Sequence, residues 1–176
     1  GFVLEPSVRK GAAMVGLVLY FGFLIGSGLT LILIICGVAA AIRYGRHSRA
    51  ELLRAGAILA LGVAVGVYTW GMGHVLLAVM NAEDGGTGSS PLLPCRGEAA
   101  PEMVSQVVDY RVGWVPLRFQ CLLSDGGSYT TSAVPWYVNP VAWTFGVAGV
   151  AGLVAPAVSA RRSSRPAGKA GTGSTG

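Results

Sequence analysis

Residues 11–42 read GAAMVGLVLYFGFLIGSGLTLILIICGVAAAI, a run of 32 positions without a single Asp, Glu, Lys, Arg or His. As one helix it would extend ~48 Å at ~1.5 Å per residue, against a bilayer hydrocarbon core of ~30 Å. That is more than one crossing needs and too little for two crossings with a turn. A tilted or protruding helix is expected, with Gly26-Ser27-Gly28 as the place where it would loosen. Two further runs without Asp, Glu, Lys or Arg, residues 55–80 and 141–160, are each long enough to span once.

Working outward, the whole composition agrees. Of 176 residues 52% are hydrophobic and 12% charged, where a soluble domain carries ~25% charge. The 27 glycines and 9 prolines follow no collagen-like period. The expected class is an all-α membrane fold, three transmembrane helices carrying a small, disulfide-tied, β-rich domain between the second and third.

Charge placement orients the chain. Arg43, Arg46, Arg49 and Arg54 lie between the first two runs with only Glu51 opposing, and Arg161, Arg162, Arg165 and Lys169 follow the third. The connection after the second run carries Glu83, Asp84, Glu98, Glu102, Asp109 and Asp125 against Arg96, Arg111 and Arg118. Basic bias near span ends marks the cytoplasmic side. Segment 43–54 and tail 161–176 are therefore expected inside, and 1–10 and 81–140 outside, with Arg9 and Lys10 a mild objection. Gly1 in place of an initiator methionine suggests upstream processing, and a removed signal peptide would suit an outside N-terminus. The Ser/Gly/Pro-rich basic tail reads as disordered. Topology accounts for the net charge of +5, so nucleic acid is not an expected partner; the lipid bilayer is.

Small residues recur at helical spacing in each span. Gly22, Gly26, Thr30 and Gly37 fall within ~80° of one another at ~100° per residue, and Gly62, Gly66, Thr69 and Gly73 form a narrower stripe. The third span has Gly146, Gly149 and Gly152. Such stripes let helix backbones approach closely. They would pack either within this chain or against another membrane subunit.

In the outer segment, Cys95 and Cys121 form an even pair in an oxidising compartment, most simply a disulfide. Closing that loop would contribute roughly 3–4 kcal/mol in the chain-entropy account. Cys36, inside the first span, reads as a small buried apolar residue. Leu117, Phe119, Cys121 and Leu123 alternate with Arg118 and Gln120, the period of a half-buried strand. Ser124-Asp125-Gly126-Gly127 reads as a hairpin turn, and Tyr129–Val134 as the return strand. Val107–Val112 fits a third strand or, equally, part of a short helix opened by Pro101. Asn81–Pro94 reads as a flexible linker. Trp136, Tyr137 and Trp143 suit the headgroup belt, and Tyr68 and Trp70 are the outer-half aromatics of the second span.

The run Trp114-Val115-Pro116-Leu117-Arg118-Phe119-Gln120-Cys121, then Asp125-Gly126-Gly127, Val134-Pro135 and Val138-Asn139-Pro140, resembles small integral membrane proteins of high-GC Gram-positive bacteria. In those a cysteine-bearing strand, an Asp-Gly turn and a Val-Pro segment lead into a last span. The resemblance covers about a quarter of the chain and its motifs are structural. It implies an envelope protein and carries over no functional residues.

Chemistry is sparse. The spans contain no Asp, Glu, Lys or Arg, the residues that mark proton relays and ion paths. His74 sits near the outer end of the second span. A bis-histidine haem would need a second intramembrane histidine, and the only other one is His47 on the cytoplasmic side. Met72, His74 and Met80 offer soft ligands to copper but share no helix face, so His74 and Met72 would need a partner chain to complete a site; otherwise His74 makes a local hydrogen bond. Glu98, Glu102 and Asp109 read as a solvated face. No catalytic residues, cofactor or metal are assigned. The expectation is a non-catalytic accessory or scaffold subunit of a larger membrane assembly, with other membrane subunits as partners. The alternative is an extracytoplasmic ligand- or metal-binding protein of sensor or immunity type, using the region of His74 and the outer hairpin.

Overall fold

A computed structural model describes residues 6–44, 49–83, 92–97 and 99–163. Arg46, His47, Asp84, Glu98, most of the expected linker, the first five residues and the tail from 164 lie outside the described residues.

The order of elements is α1 (Pro6–Tyr44), α2 (Arg49–Glu83), a 3-10 turn (Leu93–Cys95), α3 (Pro101–Val104), β1 (Val107–Trp114), β2 (Leu117–Leu123), β3 (Ser128–Thr130) and α4 (Val138–Ser163). Three helices are long and apolar enough to cross a membrane, over Met14–Tyr44, Arg49–Glu83 and Val138–Ala155, the pattern of a multi-pass membrane protein. All three helices run past the uncharged sequence. Arg43 stands in the last turn of α1, and α2 begins at Arg49 with Arg54 bonded to Glu51 at 2.8 Å. Helical hydrogen bonding continues where hydropathy stops, because Arg and Glu are good helix formers.

α1 does not loosen at Gly26-Ser27-Gly28. The Ser27 hydroxyl donates to the Phe23 carbonyl at 2.7 Å and Thr30 to Gly26 at 2.8 Å. Both hydroxyls are satisfied by carbonyls four residues back, so the polar side chains cost the helix no turn. Cys36 is exposed, not buried. The stripe that meets α2 runs through Gly26, Thr30 and Gly37, which leaves the residue before Gly37 turned away.

α1 and α4 each pack along α2 and barely meet one another. Against α1, α2 sets Leu59, Gly62, Gly66, Thr69, Met72 and Gly73; against α4 it sets Leu53, Ala57, Leu61, Ala64 and Gly71. At ~100° per residue these two faces lie on nearly opposite sides of α2. The helices therefore form an open row with α2 in the middle.

At one end of the row stands a three-stranded antiparallel sheet in the order β1-β2-β3. Leu117, Phe119, Cys121 and Leu123 point inward and are buried, as their alternation predicts. The turn after β2 uses Gly126 at φ +86°, and the Gly127 amide donates to the Asp125 carboxylate at 2.8 Å. The positive φ explains the glycine there. β3 is shorter than the expected Tyr129–Val134. Its ladder ends with the Thr131 amide donating to Phe119 O at 3.0 Å, because the chain then turns through Pro135 into α4. Of the two readings of Val107–Val112 the strand is the one formed: Pro101 opens α3, but that helix ends at Val104, and Val107 and Val108 begin β1.

The sheet has no core of its own. Leu19 of α1, Val75, Ala78, Val79 and Ala82 of α2, Cys95, Leu117, Phe119, Cys121 and Val138 form one continuous buried cluster. Within it Cys95 and Cys121 are disulfide-bonded, with Cα atoms 6.2 Å apart and 26 positions apart in sequence. The pair ties the 3-10 turn to the middle of the central strand.

Candidate functional site

The glycines singled out by spacing sit between helices. A Cβ on Gly22 would meet the Met72 sulfur at 3.6 Å, on Gly66 the Thr30 methyl at 3.0 Å, on Gly73 the Phe23 ring at 3.1 Å, and on Gly62 the Ile34 side chain at 2.9 Å. Gly26 lies directly under Thr69, and on α4 a Cβ on Gly149 would lie 2.6 Å from Leu61 while one on Gly146 would lie 3.9 Å from Ala64. These stripes are thus filled from within the chain.

His74 and Met72 do not converge. The His74 Nδ1 lies 3.0 Å from the Trp70 carbonyl, and its ring stands edge-on to the Trp70 indole at 4.8 Å. The carbonyl can only accept, so Nδ1 carries the proton. Met72 is turned toward Gly22 on the other side of α2. Among the described residues no group of three His, Cys, Asp or Glu side chains could hold a metal. Glu102 and Asp109 are exposed, and Asp109 accepts the Tyr110 amide at 2.8 Å.

The expected belt aromatics lie around the sheet end of the row. Trp136, Tyr137 and Trp143 are all exposed, Trp136 at 86%. Tyr110, by contrast, is wedged into the sheet's junction with α2. Its ring stacks on Phe119 at 5.2 Å and its hydroxyl donates to Glu83 at 2.8 Å. Burial first, then the hydrogen bond and charge of Glu83, then Asp109, push its phenol well above the ordinary range.

A cavity lies in the space left between α1 and α4. It has a volume of about 830 Å³. Its floor is α2 (Leu61, Ala64, Val65, Tyr68), one wall is α4 (Ala142, Trp143, Val147, Val150, Val154), and α1 contributes Gly26. Trp114, Val115 and Pro116, the tip of the β1–β2 hairpin, cover its sheet end. Two polar contacts hold that roof. The Tyr68 hydroxyl donates to the Trp114 carbonyl at 2.6 Å. Asn139 brackets Leu117, accepting its amide at 2.8 Å and donating to its carbonyl at 2.9 Å. Asn139 thereby continues the ladder where β3 leaves it.

This groove is the feature that spacing did not single out. Its signal is present: on α4, positions 143, 147, 150 and 154 follow helical spacing beside the glycine stripe. What sequence does not carry is that α1 and α4 take opposite faces of α2. Comparison with protein-family models, characterised proteins and solved structures gives no match.

Proposed function

We propose that the protein is a non-catalytic multi-pass membrane protein, an accessory or scaffold subunit of a larger membrane assembly, with the sheet facing outward and the α1–α2 connection and C-terminus cytoplasmic. Support for the orientation comes from arginines gathered at the end opposite the sheet, Arg43, Arg49 and Arg54. The disulfide in the sheet suits an oxidising compartment.

The observation that carries the subunit reading is the outer end of α1. Gly73 meets Phe23, and the first residue of α4, Val138, meets Gly71. Residues of α1 before Phe23 therefore stand at the height of the sheet, beyond the start of α4. Leu19 is buried there, but Met14, Leu17, Val18 and Phe21 are 50–69% exposed. An apolar helix face beside a water-facing domain is the kind of patch that marks an interaction surface. Because the glycine stripes are already filled, this face and not the stripes is where a partner subunit would dock.

A photoreactive residue at position 17 tests the reading in native membranes. A discrete polypeptide adduct is expected there, and none from the same probe at position 35 on the far half of α1. Lipid adducts alone at both positions would refute it.

A further inference from the structure

We propose that the groove between α1 and α4 is a binding site for one acyl chain of a membrane lipid, entered from the side and closed at the outer end by the Trp114-Val115-Pro116 tip. Its length argues for this occupant. From Ala142 to Val154 the α4 wall covers ~18 Å at ~1.5 Å per residue. One leaflet contributes ~15 Å of hydrocarbon, half the bilayer core. The groove thus begins at the level of the aromatic belt and ends near mid-bilayer.

The roof argues against a partner helix. A spanning helix would have to continue outward through the hairpin tip, whereas an acyl chain ends below its headgroup. The volume of about 830 Å³ falls in the range of ~300–1,000 Å³ that small-molecule sites occupy.

The chemistry of the lining selects hydrocarbon. Tyr68 already donates to the Trp114 carbonyl, and Asn139 is committed to both backbone groups of Leu117. Thr69 is buried against Gly26. The remaining wall is Ala, Val, Leu, Gly and the Met72 thioether, with the Trp143 indole at the upper rim. Small residues hollow it out: Ala64, Ala142, Gly146 and Ala151 on the long walls, and Gly26 opposite. Such a surface recognises shape and apolar area and offers a polar ligand nothing.

The site rests on the membrane reading and orientation above, but it does not need the partner proposed at Leu17. The test uses full-length protein in mild detergent, stripped of lipid and incubated with phosphatidylglycerol, with native mass spectrometry counting bound lipid. A single saturable adduct is expected. Ala151→Phe and, independently, Ala142→Phe place a ring in the groove from exposed and half-buried positions of α4; each should abolish the adduct at an unchanged melting temperature. Ile35→Phe, on the exposed side of α1, should keep it. No adduct in the natural chain, or adducts that survive in both groove variants as in Ile35→Phe, would overturn the proposal. So would a polypeptide cross-linked in native membranes to a photoreactive residue at position 147.

Discussion

At Gly71 α2 meets both the start of α4 and β2, and its replacement by alanine isolates that contact. A methyl there would lie 2.6 Å from Val138 Cγ1 and 2.8 Å from Leu117 Cδ2, about 1 Å inside the favourable carbon–carbon separation of ~3.5–4.0 Å. Neither neighbour can swing aside, since Val138 is 0% and Leu117 1% exposed. Overpacking of this kind costs about 1–3 kcal/mol. Alanine also gains ~0.5–1 kcal/mol over glycine in a helix, and that gain hides part of the clash. Gly56→Ala on the same helix supplies the reference, because a Cβ at Gly56 meets nothing within 4 Å. The difference between the two variants is then the steric term alone. At ~2–4 °C per kcal/mol for a chain of this size, Gly71→Ala should melt ~2–12 °C below Gly56→Ala in detergent, followed by tryptophan fluorescence. Adding Val138→Ala should show a favourable coupling of ~0.5–3 kcal/mol in a double-mutant cycle. If Gly71→Ala melts at or above Gly56→Ala, the close approach of α2, α4 and the hairpin is wrong.

Replacing Cys95 and Cys121 together by serine should destabilise the fold by about 3.5 kcal/mol, the chain-entropy figure for a loop of this length; chemical unfolding with and without reductant checks it. Asn139→Ala strips two partners from the Leu117 backbone and should cost about 1–3 kcal/mol per buried group left unpaired, so hydrogen exchange at Leu117 should speed up before that at Phe119. For Tyr110 the sign follows from the raised phenol. The fold holds the proton above the pH at which the unfolded chain releases it, so this contribution is complete below about pH 10 and is lost as pH climbs further. Tyr110→Phe should therefore flatten the fall in melting temperature above about pH 10 while leaving it unchanged below, and an unchanged slope above about pH 10 would count against the assignment.

Much of this architecture is legible in the residues. Uncharged length marks the three long helices, because a continuous apolar segment of ~20 residues facing hydrocarbon satisfies all its backbone groups within itself only as a helix. The Leu117–Leu123 alternation and the Asp125-Gly126 turn announce β2 and its hairpin, since both are local rules. Cys36 shows where local reasoning stops: apolar character says that a residue avoids water, not which neighbour it faces. The helix ends at Tyr44 and Arg49 also escape hydropathy, because hydrogen bonding there outlasts apolarity. The groove is the largest omission. Trp143, Val147, Val150 and Val154 form a visible stripe, but its meaning depends on α1 taking the opposite side of α2, and that is decided by Gly26, Gly37, Gly62 and Gly66 meshing with distant partners.

The shared core has a mechanical corollary. Leu117 is gripped by Asn139 at the head of α4, the Trp114 carbonyl by Tyr68 of α2, and Phe119 lies in the same cluster as Leu19 and Val79. No hinge separates sheet from helices at these points. A load applied to the hairpin is thus transmitted to α2 and α4 as to a single lever, and a change in helix tilt reappears as a displacement of the hairpin.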